Sequence, residues 1–297
     1  MNGRRASVVV CAAMGLLAWG AAQGRAQDPK DIVWFGNSFT LATCCGSTDT
    51  VPNVFRDIAV AAGHPMPRNR NASVNGQTLQ WHLDNNTNIL TRLPAGEEWE
   101  HIVLQDYSTG PTHIGDLPRH LSSTLALYQE AAAISPDVVP VLYETWARGY
   151  GHSFYTGASP DFPGGPTQMQ QELRDGYQMA ADNIDATAGA ELTLIAPAGD
   201  AWELADFPAN FYGDGNYHAS NRGTLLNALV LYGTIYGDNT TSDIDLSGVL
   251  TKLNLTPADG QQLTALADAA LVPEPGAGVL AAIGVAMFVW RGLAGIR

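Results

Sequence analysis

Four short segments of the 297-residue chain carry side chains that could act together on a carbonyl compound. In Phe35-Gly36-Asn37-Ser38-Phe39-Thr40, Ser38 follows a buried apolar run and can face a ligand crevice with its own amide free. Serine is a poor nucleophile while it keeps its proton, so it needs an adjacent base. The turn Gly213-Asp214-Gly215-Asn216-Tyr217-His218-Ala219-Ser220 offers one. There His218 can present Nε2 to a hydroxyl while Asp214, or else Asn216 or a backbone carbonyl, holds Nδ1–H. Gly76, in Ser73-Val74-Asn75-Gly76, permits the close backbone approach that an oxyanion donor requires. Gln105, in Val103-Leu104-Gln105-Asp106-Tyr107-Ser108, can aim its amide N–H into the same crevice or be a satisfied polar group at a loop start.

Other residues compete for a role. Trp146 and Trp202 both follow apolar runs and could form an aromatic platform for a sugar, or simply pack at a sheet edge. His152 sits in the Gly-, Tyr- and Pro-rich loop 147–166, which reads equally as a lid or as a surface insertion. Asp106 and Glu144 place acid after strands, but no spacing pairs them as the two carboxylates of a glycosidase. Apart from Cys11, the cysteines are the neighbours Cys44 and Cys45. They make no disulfide framework, and without a paired CxxC or HxxxH spacing they indicate no zinc site. No metal or organic cofactor is expected.

The elements that must position these groups alternate along the chain. Ile32–Phe35, Ile102–Leu104, Val138–Tyr143 and Leu192–Ala196 are brief, β-branched-rich and without polar alternation, as strands buried on both faces are. A weaker strand is expected at Arg70–Val74. Val51–Ala62, Leu79–Leu93, Leu117–Ile134, Thr167–Thr187 and Asn221–Tyr236 have helical spacing. Repeated β-α order implies crossovers and a doubly wound, mainly parallel sheet covered by helices on both faces, a flavodoxin-like three-layer α/β/α arrangement. In such sheets ligands bind beyond the carboxyl ends of the strands, where Ser38, Gly76 and Gln105 fall. Residues 241–271 read as a peripheral segment and stalk with a short helix after Thr256-Pro257.

The charge balance removes one class of partner. Five of the 15 Lys and Arg residues and one of the 29 acids lie at the two ends, leaving 10 basic and 28 acidic residues between Gln27 and Leu271. A body so acidic repels phosphate backbones, so no nucleic-acid partner is expected. The ends look like processing signals. Arg4 and Arg5 precede the apolar run Ser7–Leu17, and Gly24-Arg25-Ala26 offers a small-residue cleavage site, so residues 1–26 read as an export signal. At the other end Val272-Pro273-Glu274-Pro275 is followed by apolar residues 276–290 and then Arg291 and Arg297. Fifteen residues reach roughly 22 Å, short of a ~30 Å hydrocarbon core. This order resembles the PEP-CTERM sorting signal of Gram-negative bacteria, which implies an exosortase-type processing enzyme as a partner of residues 272–297.

Taken together, the four segments resemble the SGNH (GDSL-like) hydrolase superfamily. Gly36-Asn37-Ser38 corresponds to its serine block, Gly76 to its glycine block, Gln105 to a position where the family usually has Asn, and Asp214 with His218 to its last block. Leu142-Tyr143-Glu144-Thr145-Trp146-Ala147 and Ile195-Ala196-Pro197-Ala198-Gly199-Asp200-Ala201-Trp202 resemble a DUF4886-like branch. The likeness spans roughly residues 31–236. It implies the SGNH hydrolase fold over residues 27–240, Ser38, His218 and Asp214 as catalytic residues, and an oxyanion hole of Ser38, Gly76 and Gln105. The implied activity is hydrolysis of esters, with acylated polysaccharide as a candidate substrate at the cell envelope or outside it. Two departures stand out: Gln105 is one methylene longer than Asn, and Asp214 precedes His218 by four residues where the family has three. The rival reading is a non-catalytic glycan-binding or structural envelope protein on the same sheet.

Overall fold

The computed structural model describes residues 28–272. Except for Val272, both terminal segments read as processing signals lie outside the described residues. The first strand, β1 (Asp31–Phe35), is buried along its whole length. It runs into the four-residue helix α1 (Ser38–Leu41) and then α2 (Val51–Ala61), which Thr50 caps by accepting the Asn53 N–H. Next come β2 (Arg68–Asn71), α3 (Leu79–Asn85), β3 (His101–Leu104), α4 (Leu117–Ala132) and β4 (Val139–Tyr143). The chain continues through α5 (Gly165–Ala188), β5 (Leu194–Ala196), α6 (Ala198–Leu204) and α7 (Asn221–Tyr236), and closes with α8 (Ser247–Lys252) and α9 (Pro257–Leu271).

The five strands form one sheet in the order β2-β1-β3-β4-β5, and every pairing is parallel. Period-2 alternation divides β1 between two cores. Ile32 and Trp34 pack with α2, α6, α7, α8 and α9 on one face, while Val33 and Phe35 pack with α3, α4 and α5 on the other. The three-layer expectation therefore holds, with the order reversing between β1 and β3, where such folds open their crevice.

Three expectations shift. The edge strand β2 lies at Arg68–Asn71, earlier than the expected Arg70–Val74, with Asp31 opposite Arg68 and Trp34 opposite Asn71. Its sequence RNRN is polar and half exposed, so hydrophobicity gives no cue to its start. The helix expected at Leu79–Leu93 ends at Asn85, because Asn86 leaves helical geometry to bond the Ala72 carbonyl and His82 Nδ1, and a 3₁₀ turn follows at Thr87–Thr91. Residues 241–271 are no stalk: α8 and α9 bury Val249, Leu250, Leu263 and Ala267 in the same core as α7. Thr256 and Asp259 start α9 with a reciprocal capping box. Among the described residues no helix is long and apolar enough to cross a membrane.

Two buried imidazoles set an expectation for acid. Burial pushes His82 of α3 down, a hydrogen bond to Gly36 only partly opposing it, and burial likewise pushes His101 of β3 down to about 3. The unfolded chain would bind protons at both from about pH 6.5 downward and the native chain only at lower pH, so these groups destabilise the fold as pH falls through that range. Buried Glu144, after β4, acts oppositely: desolvation raises it well above its ordinary value, so the native chain keeps a proton that the unfolded chain releases above about pH 4.5. In a Glu144→Gln variant, which removes the opposing group, urea unfolding is expected to show stability lower at pH 5 than at pH 7 by about 1–2 kcal/mol. A midpoint that rises on acidification would contradict neutral burial of the two rings.

Candidate active site

Ser38 owes its position to a polar knot beyond the end of β1. The Gly36 carbonyl accepts hydrogen bonds from His82 Nε2 at 2.8 Å and from the Val74 N–H at 3.0 Å. A side chain at Gly36 cannot fit, since a Cβ would lie 2.9 Å from Gln105 Oε1 and nearer still to Thr40 Oγ1. Asn37 is buried and caps α1 by accepting the Phe39 N–H at 3.0 Å. Its own Nδ2 reaches the carbonyls of Gln77 and Asp106, at 3.1 and 3.3 Å. The chain thus leaves β1 tied to the segments after β2 and β3, and Ser38 opens the short helix.

From there a hydrogen-bonded line runs outward. Ser38 Oγ lies 3.0 Å from His218 Nε2, and His218 Nδ1 lies 2.6 Å from Asp214 Oδ2. The other oxygen of Asp214 accepts the N–H groups of Tyr217 and His218, at 3.1 and 2.9 Å. Partial burial pushes the Asp214 carboxyl up, but the bonds from His218 and Tyr217 more than offset this and hold it below the usual carboxylate range. The extra residue between acid and imidazole is taken up at Gly215, whose φ of +101° suits glycine. The turn is closed beneath by the Gly213 N–H on the His218 carbonyl at 2.7 Å and by an antiparallel bridge between Tyr212 and Ala219. Asn216, the other candidate partner of His218, is engaged elsewhere through its carbonyl, which accepts the Gly149 N–H at 2.9 Å.

The remaining oxyanion candidates divide. Among the described residues the Ser38 N–H has no acceptor, which leaves it free at the start of α1. Gly76 occupies a turn with φ +73°, exposed and with open space around it. Gln105 does not serve as an oxyanion donor. It is fully buried, its Oε1 accepts from the Asn37 N–H at 3.0 Å and from Thr40 Oγ1 at 2.9 Å, and its Nε2 donates to the Asp106 carbonyl. Its longer side chain reaches behind the serine turn and holds it, spending the amide there.

Trp146 and Trp202 form no sugar platform. Both are wholly buried and stacked at 4.5 Å, and Trp146 stacks on Phe39 at 4.2 Å. Trp146 Nε1 also donates to the Tyr217 carbonyl at 3.0 Å, so the pair buttresses the turn that carries His218. His152 caps a 3₁₀ turn at Ser153–Tyr155 by accepting the Phe154 N–H at 3.1 Å. Asp106 is buried and binds His120 Nδ1 at 2.9 Å together with the N–H groups of Leu79 and Tyr107. Burial pushes its carboxyl up, yet the His120 bond and charge prevail and hold it low. Glu144 accepts from Gln170 Nε2 at 2.7 Å, deep beneath the sheet end.

Residues not singled out from the sequence surround the base. The Tyr217 ring lies 3.9 Å from the His218 ring, and the Arg148 guanidinium lies 3.8 Å over the far-reaching Tyr217 ring while its Nη2 donates to Ser108 Oγ at 2.6 Å. Arg148 directly follows Trp146-Ala147 after β4, which is the only trace the sequence offers. Cys44 and Cys45, just beyond α1, are joined as a disulfide with their Cα atoms 3.7 Å apart.

No protein-family model matches this chain, and no curated protein matches its sequence. Solved structures do resemble it. A candidate SGNH hydrolase from Slackia heliotrinireducens is 24% identical with a TM-score of 0.52, covering 70% of this chain and 100% of that one. A DUF4886 family protein from Bacteroides uniformis is 18% identical with a TM-score of 0.62, over 82% and 95%. A family 3 carbohydrate esterase from Clostridium thermocellum is 16% identical with a TM-score of 0.50, over 71% and 96%. At these identities the likeness concerns architecture, and the described domain has the SGNH hydrolase fold.

Proposed function

We propose that this chain is a serine hydrolase of ester bonds. The observation that carries the reading is the continuous hydrogen-bonded line from Ser38 through His218 to Asp214 at the carboxyl end of β1. In this mechanism His218 takes the proton of Ser38 on Nε2 as Oγ attacks the ester carbonyl. Asp214 holds Nδ1–H, fixing the tautomer and stabilising the imidazolium that forms. The backbone N–H groups of Ser38 and Gly76 receive the negative charge on the carbonyl oxygen. His218 then protonates the departing alkoxide, and a water activated by the same ring hydrolyses the acyl-enzyme.

The substrate class follows from location and likeness. Residues 1–26 and 272–297, read as export and sorting signals, would put the domain at the envelope, and one structural neighbour is named as a carbohydrate esterase. An acylated, for instance O-acetylated, polysaccharide is the substrate proposed. With Trp146 and Trp202 buried, sugar contacts would have to come from other residues around Ser38.

On a short-chain aryl ester, Ser38→Ala is expected to abolish hydrolysis together with labelling by a fluorophosphonate. Asp214→Asn is expected to lower kcat by about 10³–10⁴-fold, whereas Asn216→Ala stays within a few-fold. A folded wild-type chain that neither hydrolyses the ester nor takes the label would leave the sheet as a binding module. Gln105→Leu tests the serine turn separately: it strands the Asn37 N–H and the Thr40 hydroxyl, at about 1–3 kcal/mol each in urea unfolding. Unchanged stability in that variant would remove Gln105 as the organiser of the turn.

A further inference from the structure

The loop between α1 and α2 brings the cysteine pair against the base. One ligating atom from each of Cys44, Cys45 and His218 lies within 4.8 Å of the other two, and among the described residues no other trio of such side chains comes so close. The contact is built into the backbone. Gly46 packs Cα to Cα against Gly213, and a Cβ on Gly213 would lie 2.7 Å from the Cys45 carbonyl oxygen. The turn holding the cysteines therefore sits directly on the turn holding Asp214 and His218. Cys44 is exposed and Cys45 half-buried, so solvent reagents reach the sulfur atoms.

We propose that, once reduced, Cys44 and Cys45 join His218 Nε2 in a site for one thiophilic divalent cation of the zinc and cadmium type. Two thiolates and an imidazole form a donor set suited to such ions, with the fourth position of a tetrahedron left to water. Zinc–ligand distances of about 2.3 Å to sulfur and 2.0 Å to nitrogen place donor atoms roughly 3.5–3.8 Å apart. The three donor atoms lie within 4.8 Å of one another while the sulfur atoms are still bonded, and reduction lets the two sulfur atoms separate toward that spacing. Asp214, on Nδ1, supplies the carboxylate that commonly orients a metal-bound imidazole and leaves Nε2 as the ligating nitrogen.

The chemistry balances in two steps. A trialkylphosphine reduces the disulfide, water supplying the oxygen of the phosphine oxide, and two thiols result. Binding of the cation then releases the two thiol protons to solvent. The metal takes the Nε2 lone pair that would accept the Ser38 proton, so the loaded protein loses its base. This inhibitory consequence rests on the proposed esterase reading, whereas metal binding does not.

The test uses the full-length chain, reduced with phosphine, freed of excess reductant without air and titrated with Cd²⁺ and Zn²⁺. Expected are one equivalent of Cd²⁺ bound with a thiolate-to-metal charge-transfer absorbance, and ester hydrolysis at least ten-fold lower with either metal, restored by a chelator. The unreduced chain should show neither effect. Ser38→Ala should keep the absorbance, Cys44→Ser and Cys45→Ser should each weaken it and relieve the inhibition, and His218→Asn should weaken binding at least ten-fold. Absorbance with no esterase activity under any condition would sink the esterase reading and keep the metal site. No absorbance after reduction, or binding indifferent to His218→Asn, would overturn the site itself.

Discussion

The buried amide of Gln105 is the constraint on which the geometry around Ser38 depends. Its oxygen takes the Asn37 N–H and the Thr40 hydroxyl, while its nitrogen is satisfied by the neighbouring Asp106 carbonyl. All of these groups are removed from water, where an unpaired donor is expensive, so the turn after β1 has one arrangement that satisfies them and few alternatives that do. Because β1 and β3 are neighbours, and Gln105 follows β3 as Asn37 follows β1, the sheet itself fixes the register of this contact. The serine hydroxyl is thus positioned by groups that never touch a substrate.

A second restraint holds the other half of the relay. Phe39, directly after the serine, stacks on Trp146, which stacks in turn on Trp202, and Trp146 grips the Tyr217 carbonyl beside His218. Nucleophile and base come from segments far apart in the chain, yet one indole borders both. Gly149 completes the seat: its N–H meets the Asn216 carbonyl, and a Cβ there would lie 2.9 Å from the Tyr212 ring. Rigid aromatic stacking suits this task, since a hydroxyl and an imidazole must stay within hydrogen-bond reach through every cycle.

Much of this was legible in the residues, and the exceptions have physical causes. Buried parallel strands announce themselves as apolar runs, so β1, β3 and β4 are plain in the sequence, whereas the polar edge strand β2 is displaced; the helix after Thr256-Pro257 is present as α9, but its packing and that of α8 into the core, in place of a stalk, leave no clear mark. The expected role of Ser38 comes from its place after an apolar run and that of His218 from an acid and an imidazole in one turn before a helix, and the structure brings the two side chains together. Which residue pairs with His218 was open because spacing alone cannot show a bulge, and positive φ at Gly215 brings Asp214 to the ring. Gln105 was misjudged because a side-chain amide looks the same in sequence whether it points into a crevice or back into the core. The proximity of Cys44 and Cys45 to His218 has no sequence signature at all, being made by two glycines that touch across the fold.

The course of α7 has a directional consequence. It begins just after His218, and its last turn lies at the opposite end of the sheet, where Tyr236 sits beneath Lys30, the residue before β1, at 5.4 Å. Leu271, at the end of α9, packs on Gly233 in that last turn. Sixteen helical residues at about 1.5 Å each separate the two ends of α7 by roughly 24 Å. The last described turn of α9 therefore lies at the end of the sheet opposite Ser38, so anything joined to the chain there stands on the far side of the domain from the nucleophile.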